Sequence, residues 1–112
     1  MATINYAFTE HQDGATVTWE TIDGSDTGQV FELQNYNDNT VTVTGTFDSN
    51  TLTMQGSNDG TIWFTLTDHV GVSVALTAAG GKLIAEAPRY IRPSLGAGAS
   101  SDIDVIVKLR RV

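Results

Sequence analysis

The chain reads as a single antiparallel β-sandwich, jelly-roll or immunoglobulin-like in topology, on three observations. Apolar and polar residues alternate along most segments, which is the period of a half-buried strand. Turn signals break these runs at the short intervals of an all-β sandwich or barrel. Charged residues are only 17% of the 112, and Thr, Ser, Asn and Gly take their place. β-Branched Thr and Val suit a pleated surface better than a helix. The length suits one domain, residues 1–112, that buries roughly two-thirds of its unfolded surface.

The elements follow in order. Thr3 to Phe8 is apolar at the alternate positions Ile4, Tyr6 and Phe8, and residues 1–14 are expected to form an arm or an edge strand. Ala15 to Glu20 alternates polar with apolar. Val30-Phe31-Glu32-Leu33 is a short strand, and Thr40 to Thr44 alternates cleanly. Leu52, Met54 and Gly56 share one face of the next strand. Ile62, Phe64 and Leu66 share one face of the strand after it, with Trp63 on the other. The one helix candidate, Leu76 to Ile84, is cut by Gly80-Gly81. Pro88 and Pro93 bracket Arg89 to Arg92, which predicts an edge strand, because proline cannot donate to a ladder. In the last strand Ile103, Val105, Val107 and Leu109 point one way. Asp102, Asp104, Lys108 and Arg110 point the other, with Ile106 as an apolar exception.

Between Met54 and Leu66 lies the polar knot Ser57-Asn58-Asp59-Gly60. Asp-Gly between strands is a strong hairpin signal, since a type I′ turn needs φ > 0 at both central residues. Ser57 and Asn58 can bond the nearby backbone and fix the turn. The knot lacks the ligand spacing of an EF-hand, so no calcium is expected.

The net charge is −7, and its layout is uneven. No Lys or Arg precedes Lys82; Arg89, Arg92, Lys108, Arg110 and Arg111 follow it. An acidic protein is a poor partner for nucleic acid, whose affinity comes mainly from Lys and Arg on phosphate. Two readings remain: acids that keep a small protein in solution, or a basic end that docks on something acidic. Without cysteine there is neither a disulfide framework nor a thiolate metal site. Residues 1 to 30 lack the pattern of a signal peptide, and no apolar run approaches the roughly 20 residues that cross a bilayer. A soluble protein made in a reducing cytosol is expected, with no membrane partner.

Catalytic signals are weak. His11 and His69 have no metal-type spacing. Asp102 and Asp104 share a strand face but alternate with apolar residues, as a solvated face does. Ala78-Ala79-Gly80-Gly81-Lys82 fails as a phosphate loop, because Leu83 stands where Ser or Thr must bind magnesium. No enzyme and no cofactor are expected.

Two resemblances rest on particular residues. Met54 to Gly60, Trp63 and Arg89-Tyr90-Ile91-Arg92 resemble the framework of discoidin-like jelly-roll domains that bind sugar or lipid. More of the chain resembles small acidic proteins of tailed-phage structural modules: Gly28 to Phe47, Thr51 to Asp68, Val74 to Gly81, Pro88 to Pro93 and Asp102 to Val112. That second resemblance implies a virion component made in the host cytoplasm. Its leading form is a decoration (cement) protein that binds the major capsid protein on the head surface as a homotrimer. Alternatives are a carbohydrate-binding module on a virion surface, with a platform from Trp19, Trp63 or Tyr36, and a tail or head-tail connector component. Edge strands and the basic end make Ile4, Tyr6, Phe8, Arg89, Tyr90, Arg92, Lys108, Arg110 and Arg111 the candidate interface.

Overall fold

A computed structural model describes residues 3–24, 26–33, 36–96 and 101–111, without the side chains of 37, 38 and 111. Among the described residues, twelve strands form two sheets. In chain order they are β1 (Thr3–Ile4), β2 (Tyr6–Glu10), β3 (Gly14–Ile22), β4 (Thr27–Gly28), β5 (Phe31–Glu32) and β6 (Tyr36–Thr46). Then come β7 (Leu52–Ser57), β8 (Phe64–Thr65), β9 (Ala75–Leu76), β10 (Gly80–Ile84), β11 (Tyr90–Leu95) and β12 (Asp102–Arg111).

Sheet B runs β10-β6-β12-β3-β2, antiparallel throughout. Sheet A runs β1-β4-β11-β7-β8, with β5 continuing the β4 edge and β9 the β8 edge. Among the described residues its one parallel pair is β1 with β4. The pairing is nested. β3 lies beside β12, β4 and β5 beside β11, β6 beside β10, and β7 beside β8 and β9. This is one long hairpin rolled over on itself, the ordering of a jelly roll and not of an immunoglobulin fold.

The alternation of the sequence fills the space between the sheets. Val17, Val107 and Val41 form one cross-strand row of sheet B, and Trp19, Val105 and Val43 the next; all are fully buried. Leu52, Met54, Leu66, Ile91 and Leu95 face them from sheet A. Each such side chain stabilises by about 2 kcal/mol relative to exposure. Ile103, Val105, Val107 and Leu109 are buried as the pattern predicts, and Ile106 is exposed. A bulge keeps this face in phase. Ile22 pairs with Ile103 and Trp19 with Val105, so β3 carries an extra residue opposite Asp104. There Thr21 takes φ 60°, and its N–H donates to Asp104 Oδ1 at 3.0 Å.

Several expectations are corrected. Residues 76–84 hold no helix; β9 and β10 occupy the two ends of that stretch. The Pro-bracketed strand is central, since β11 has β7 on one side and β4 and β5 on the other. Pro93 is tolerated there because its neighbour is broken. The register steps from Thr27–Ser94 to Phe31–Ile91, so the β4–β5 segment is one residue longer than β11 between these points. Leu95 N–H points to this edge, donating to the Asp26 carbonyl, so position 93 also faces it. On that side the Pro93 ring lies directly over Gly28, where a Cβ would clash.

The knot at Ser57 to Gly60 does turn the chain between β7 and β8, and Gly60 has φ +81°. It is not a type I′ turn, because Asp59 is not among the residues with positive φ. A longer loop is held by side chains. Ser57 Oγ accepts the N–H of Gly60 at 2.8 Å, and Asp59 Oδ1 accepts those of Thr61 and Ile62 at 2.8 and 2.9 Å. The strand that follows is only Phe64–Thr65; Leu66 is buried, but Ile62 is 73% exposed.

The amino-terminal segment is an edge of its own fold. β1 extends sheet A and β2 extends sheet B, so the chain crosses between the sheets at Asn5. The charge segregation of the sequence is also undone in space. Lys82 pairs with Asp68 at 3.2 Å, Arg89 with Glu32 at 3.0 Å and Lys108 with Asp13 at 3.3 Å.

Candidate functional site

The edge where β2 and β5 leave the two sheets apart holds a groove of about 510 Å³. Its residues are Tyr6, Phe8 and Glu10 on one wall and Val30, Phe31, Glu32 and Tyr90 on the other, with Tyr36. Alternation along β2 builds the first wall. Tyr6, Phe8 and Glu10 stand opposite Trp19, Val17 and Ala15, whose side chains face the core. They therefore project inward from a strand at the sheet margin, where the core no longer covers them fully. Phe31 enters from sheet A and is buried, and Phe8 remains 42% exposed.

The rings hold one another. Tyr6 meets Phe31 edge-on at 5.4 Å between centroids and Trp19 at 6.1 Å. Phe8 stacks on Phe31 at 5.7 Å and meets Tyr36 at 6.4 Å. Such pairs add about 0.5–1.5 kcal/mol each beyond area burial. Two carboxylates, Glu10 and Glu32, lie among these rings. Arg89 Nε donates to Glu32 Oε2, and its guanidinium carbon lies 5.0 Å from the Tyr90 ring centroid. The bond to Glu32 holds the guanidinium above its ordinary pKa. The groove is thus largely apolar in its walls, with Glu10 and the Arg89–Glu32 ion pair at its margin.

A second arrangement covers the outer face of sheet A. Arg92 Nε donates to Gln55 Oε1 at 2.9 Å, and its guanidinium carbon sits 3.9 Å from the Trp63 ring centroid. Burial lowers the Arg92 pKa. A third, shallower depression of about 490 Å³ lies among Asp13, Thr40, Leu83, Lys108 and Arg110.

The nine residues expected at an interface therefore divide. Tyr6, Phe8 and Tyr90 line the groove, and Arg89 reaches it through Glu32. Ile4 is half-buried against the core, and Arg92 belongs to the Trp63 stack. Lys108 and Arg110 line the third depression, and the Arg111 side chain lies outside the described residues. Sequence reasoning did not single out Phe31, Glu32 and Glu10 as site residues. Period-2 spacing in Tyr6-Phe8-Glu10 was the available signal, but nothing local says that β5 stands across from it.

Of the aromatic platforms considered for sugar, Trp19 is fully buried with its indole N–H bonded, which makes it framework. Trp63 carries Arg92 on its ring, and Tyr36 is half-buried in the groove. Among the described residues no group of three or more His, Cys, Asp or Glu is arranged to hold a metal ion. The His11 ring bonds Thr16 Oγ1 at 2.8 Å. Gly80, Gly81 and Lys82 lie within β10. No helix of the described residues is long and apolar enough to cross a membrane.

No protein-family model matches the chain, and no curated protein matches its sequence. Solved structures match its fold. The SPBc2 prophage-derived protein YomS superposes with a TM-score of 0.61 at 8% identity, over 84% of this chain and 92% of that one. Peruvianin-I, a cysteine peptidase from Thevetia peruviana latex, does so at 0.51 and 12% identity, over 96% of this chain and 61% of that one. At these identities the likeness is one of fold. CpGH89CBM32-6, produced by Clostridium perfringens, reaches only 0.39 at 16% identity, over 96% of this chain and 76% of that one.

Proposed function

We propose that the protein is a structural, non-enzymatic component of a tailed-phage virion. Its role is to decorate the outer surface of the head by binding the major capsid protein. Two observations support this reading. The fold is shared over most of both chains with a prophage-derived protein, and the sequence independently resembles phage structural modules. The physical logic is linkage: a protein that binds only the assembled shell stabilises it against coming apart. A homotrimer at a local threefold would add avidity to weak single contacts. A typical interface buries about 800 Å² per partner.

Imaging of intact particles carrying the labelled protein tests the location: density on the head surface is expected, and density confined to the tail or connector overturns it. Light scattering at high micromolar concentration tests the oligomer; a monomer there removes the trimer.

A further inference from the structure

The outer face of sheet A carries a cation without an acid. Pro93 pairs with Met54 and both are buried, so the next pair, Arg92 and Gln55, faces outward, with Thr65 opposite Gln55 on β8. The row beside it is Thr27, Ser94, Thr53 and Ala75. None of these neighbours of Arg92 is charged. Lys82, Arg89 and Lys108 each pair with a carboxylate, but among the described residues Arg92 pairs with none. Glu32, opposite Tyr90 further along the sheet, is held by Arg89.

The guanidinium is nonetheless fixed. Its Nε donates to Gln55 Oε1 at 2.9 Å, and its carbon sits 3.9 Å from the Trp63 ring centroid. Those contacts occupy one edge and one face. The Nη1 and Nη2 end has no hydrogen-bond partner among the described residues. Two parallel N–H donors at that end match the two oxygens of a carboxylate. Arginine stays charged, and burial lowers the Arg92 pKa because water is partly removed and no anion replaces it. Such a cation gains more from an incoming anion than one in full solvent. One isolated cation suits one anion. A polyphosphate would need several cations and would meet a protein whose net charge is −7. An open sheet face also suits a side chain presented by another protein, since small free ligands take concave sites.

We infer that Arg92, bonded to Gln55 and stacked on Trp63, receives the carboxylate of an Asp or Glu side chain of a partner protein through its two η nitrogens. That the partner is the capsid protein rests on the decoration reading; the chemistry of the contact does not.

The test is a titration of isotope-labelled protein, followed by NMR at the Arg92 Nε–H and the Trp63 indole N–H. The probes, at matched ionic strength, are acetyl-Thr-Glu-Thr-amide, acetyl-Thr-Gln-Thr-amide, inorganic phosphate and glucuronate. The Glu peptide is expected to shift both signals, and the Gln peptide to bind roughly tenfold more weakly or not at all. Phosphate and glucuronate are expected to bind more weakly than the Glu peptide, having no backbone for the hydroxyls of Thr53, Thr65 and Ser94. Arg92→Gln should abolish the Trp63 response. Arg92→Lys keeps the charge but loses the fork, and should weaken the Glu peptide roughly fivefold. Unchanged shifts of the buried Val17 and Val105 amides show that a variant is folded. Should neither variant fold, the Glu and Gln peptides on the parent protein decide alone. Equal binding of the two peptides, full binding by Arg92→Lys, or tighter binding of phosphate or glucuronate than of the Glu peptide would overturn the inference. Binding to phage heads separates the two readings. Heads that bind Arg92→Gln as well as the parent leave decoration intact and remove Arg92 as its contact. Glu-peptide binding at Arg92 without head binding does the reverse.

Discussion

The indole Nε1 of Trp19 donates to the backbone carbonyl of Gln29 at 3.0 Å, joining β3 of one sheet to the β4–β5 edge of the other. Trp19→Phe removes the donor, strands that carbonyl and leaves a void. Urea unfolding should show a loss of about 2–3 kcal/mol. Gln29→Ala keeps the carbonyl and loses only the side-chain bond to Tyr6 N–H, so it should cost well under half as much.

Gly28 is fixed by space. A Cβ there would lie 2.5 Å from the Pro93 ring and 2.8 Å from Trp19 Cδ1. Gly28→Ala should destabilise by about 1–3 kcal/mol through overpacking. Equilibrium denaturation checks this, and an unchanged midpoint would show that Pro93 and Trp19 shift freely.

Gly60 is fixed by conformation. A Cβ there would meet Tyr90 only at ordinary contact, 3.5 Å, but φ is +81°. Gly60→Val should cost about 1 kcal/mol or more. Ser57→Ala in the same loop strands the Gly60 N–H and should cost about 1–2 kcal/mol. Thermal melts of the two single variants separate the effects.

Acid should weaken the fold through its loops. The Val72 N–H foremost, with Lys82 and the Val70 N–H, holds the Asp68 carboxyl below its ordinary pKa. The N–H groups of Ile62 and Thr61 do the same for Asp59. A depressed folded pKa means that the unfolded chain binds more protons, so stability rises with pH across this window. The contribution is full above the ordinary carboxylate pKa of about 4 and is lost as pH falls through the lower folded value. Melting temperatures should hold from pH 7 to about 5 and drop below about 4. Asp68→Asn should flatten that acid limb.

Where burial follows period 2, the fold was legible. Ala15, Val17 and Trp19, then Val41 and Val43, then Ile103 to Leu109 are all placed by alternation alone. The count fails at Ile22, because the bulge at Thr21 changes parity, and only the distant Asp104 explains it. Proline misled for a related reason. Its missing donor matters only beside an intact ladder, and the β4–β5 segment breaks its register opposite Pro93. The turn at Asp59-Gly60 was placed correctly but mistyped, since side-chain bonds from Ser57 and Asp59 support a longer loop than backbone pairing would. Half of the groove was visible in Tyr6 and Phe8. The other half depends on how a jelly roll brings residue 8 beside residue 31.

The position of β12 has a further consequence, for the order in which the molecule can be made. This strand, residues 102–111, sits between β3 and β6 at the middle of sheet B. A nascent chain that has not yet released them from the ribosome holds sheet B as two pieces, β2 with β3 and β6 with β10, with no contact in register. Each piece exposes an apolar face and an unpaired edge throughout that interval. Closing the sheet then requires residues about 90 apart to meet, a slow step in chains dominated by distant pairings. Completion of sheet B therefore waits on β12, and until it arrives both pieces keep an apolar face and an edge open to wrong partners.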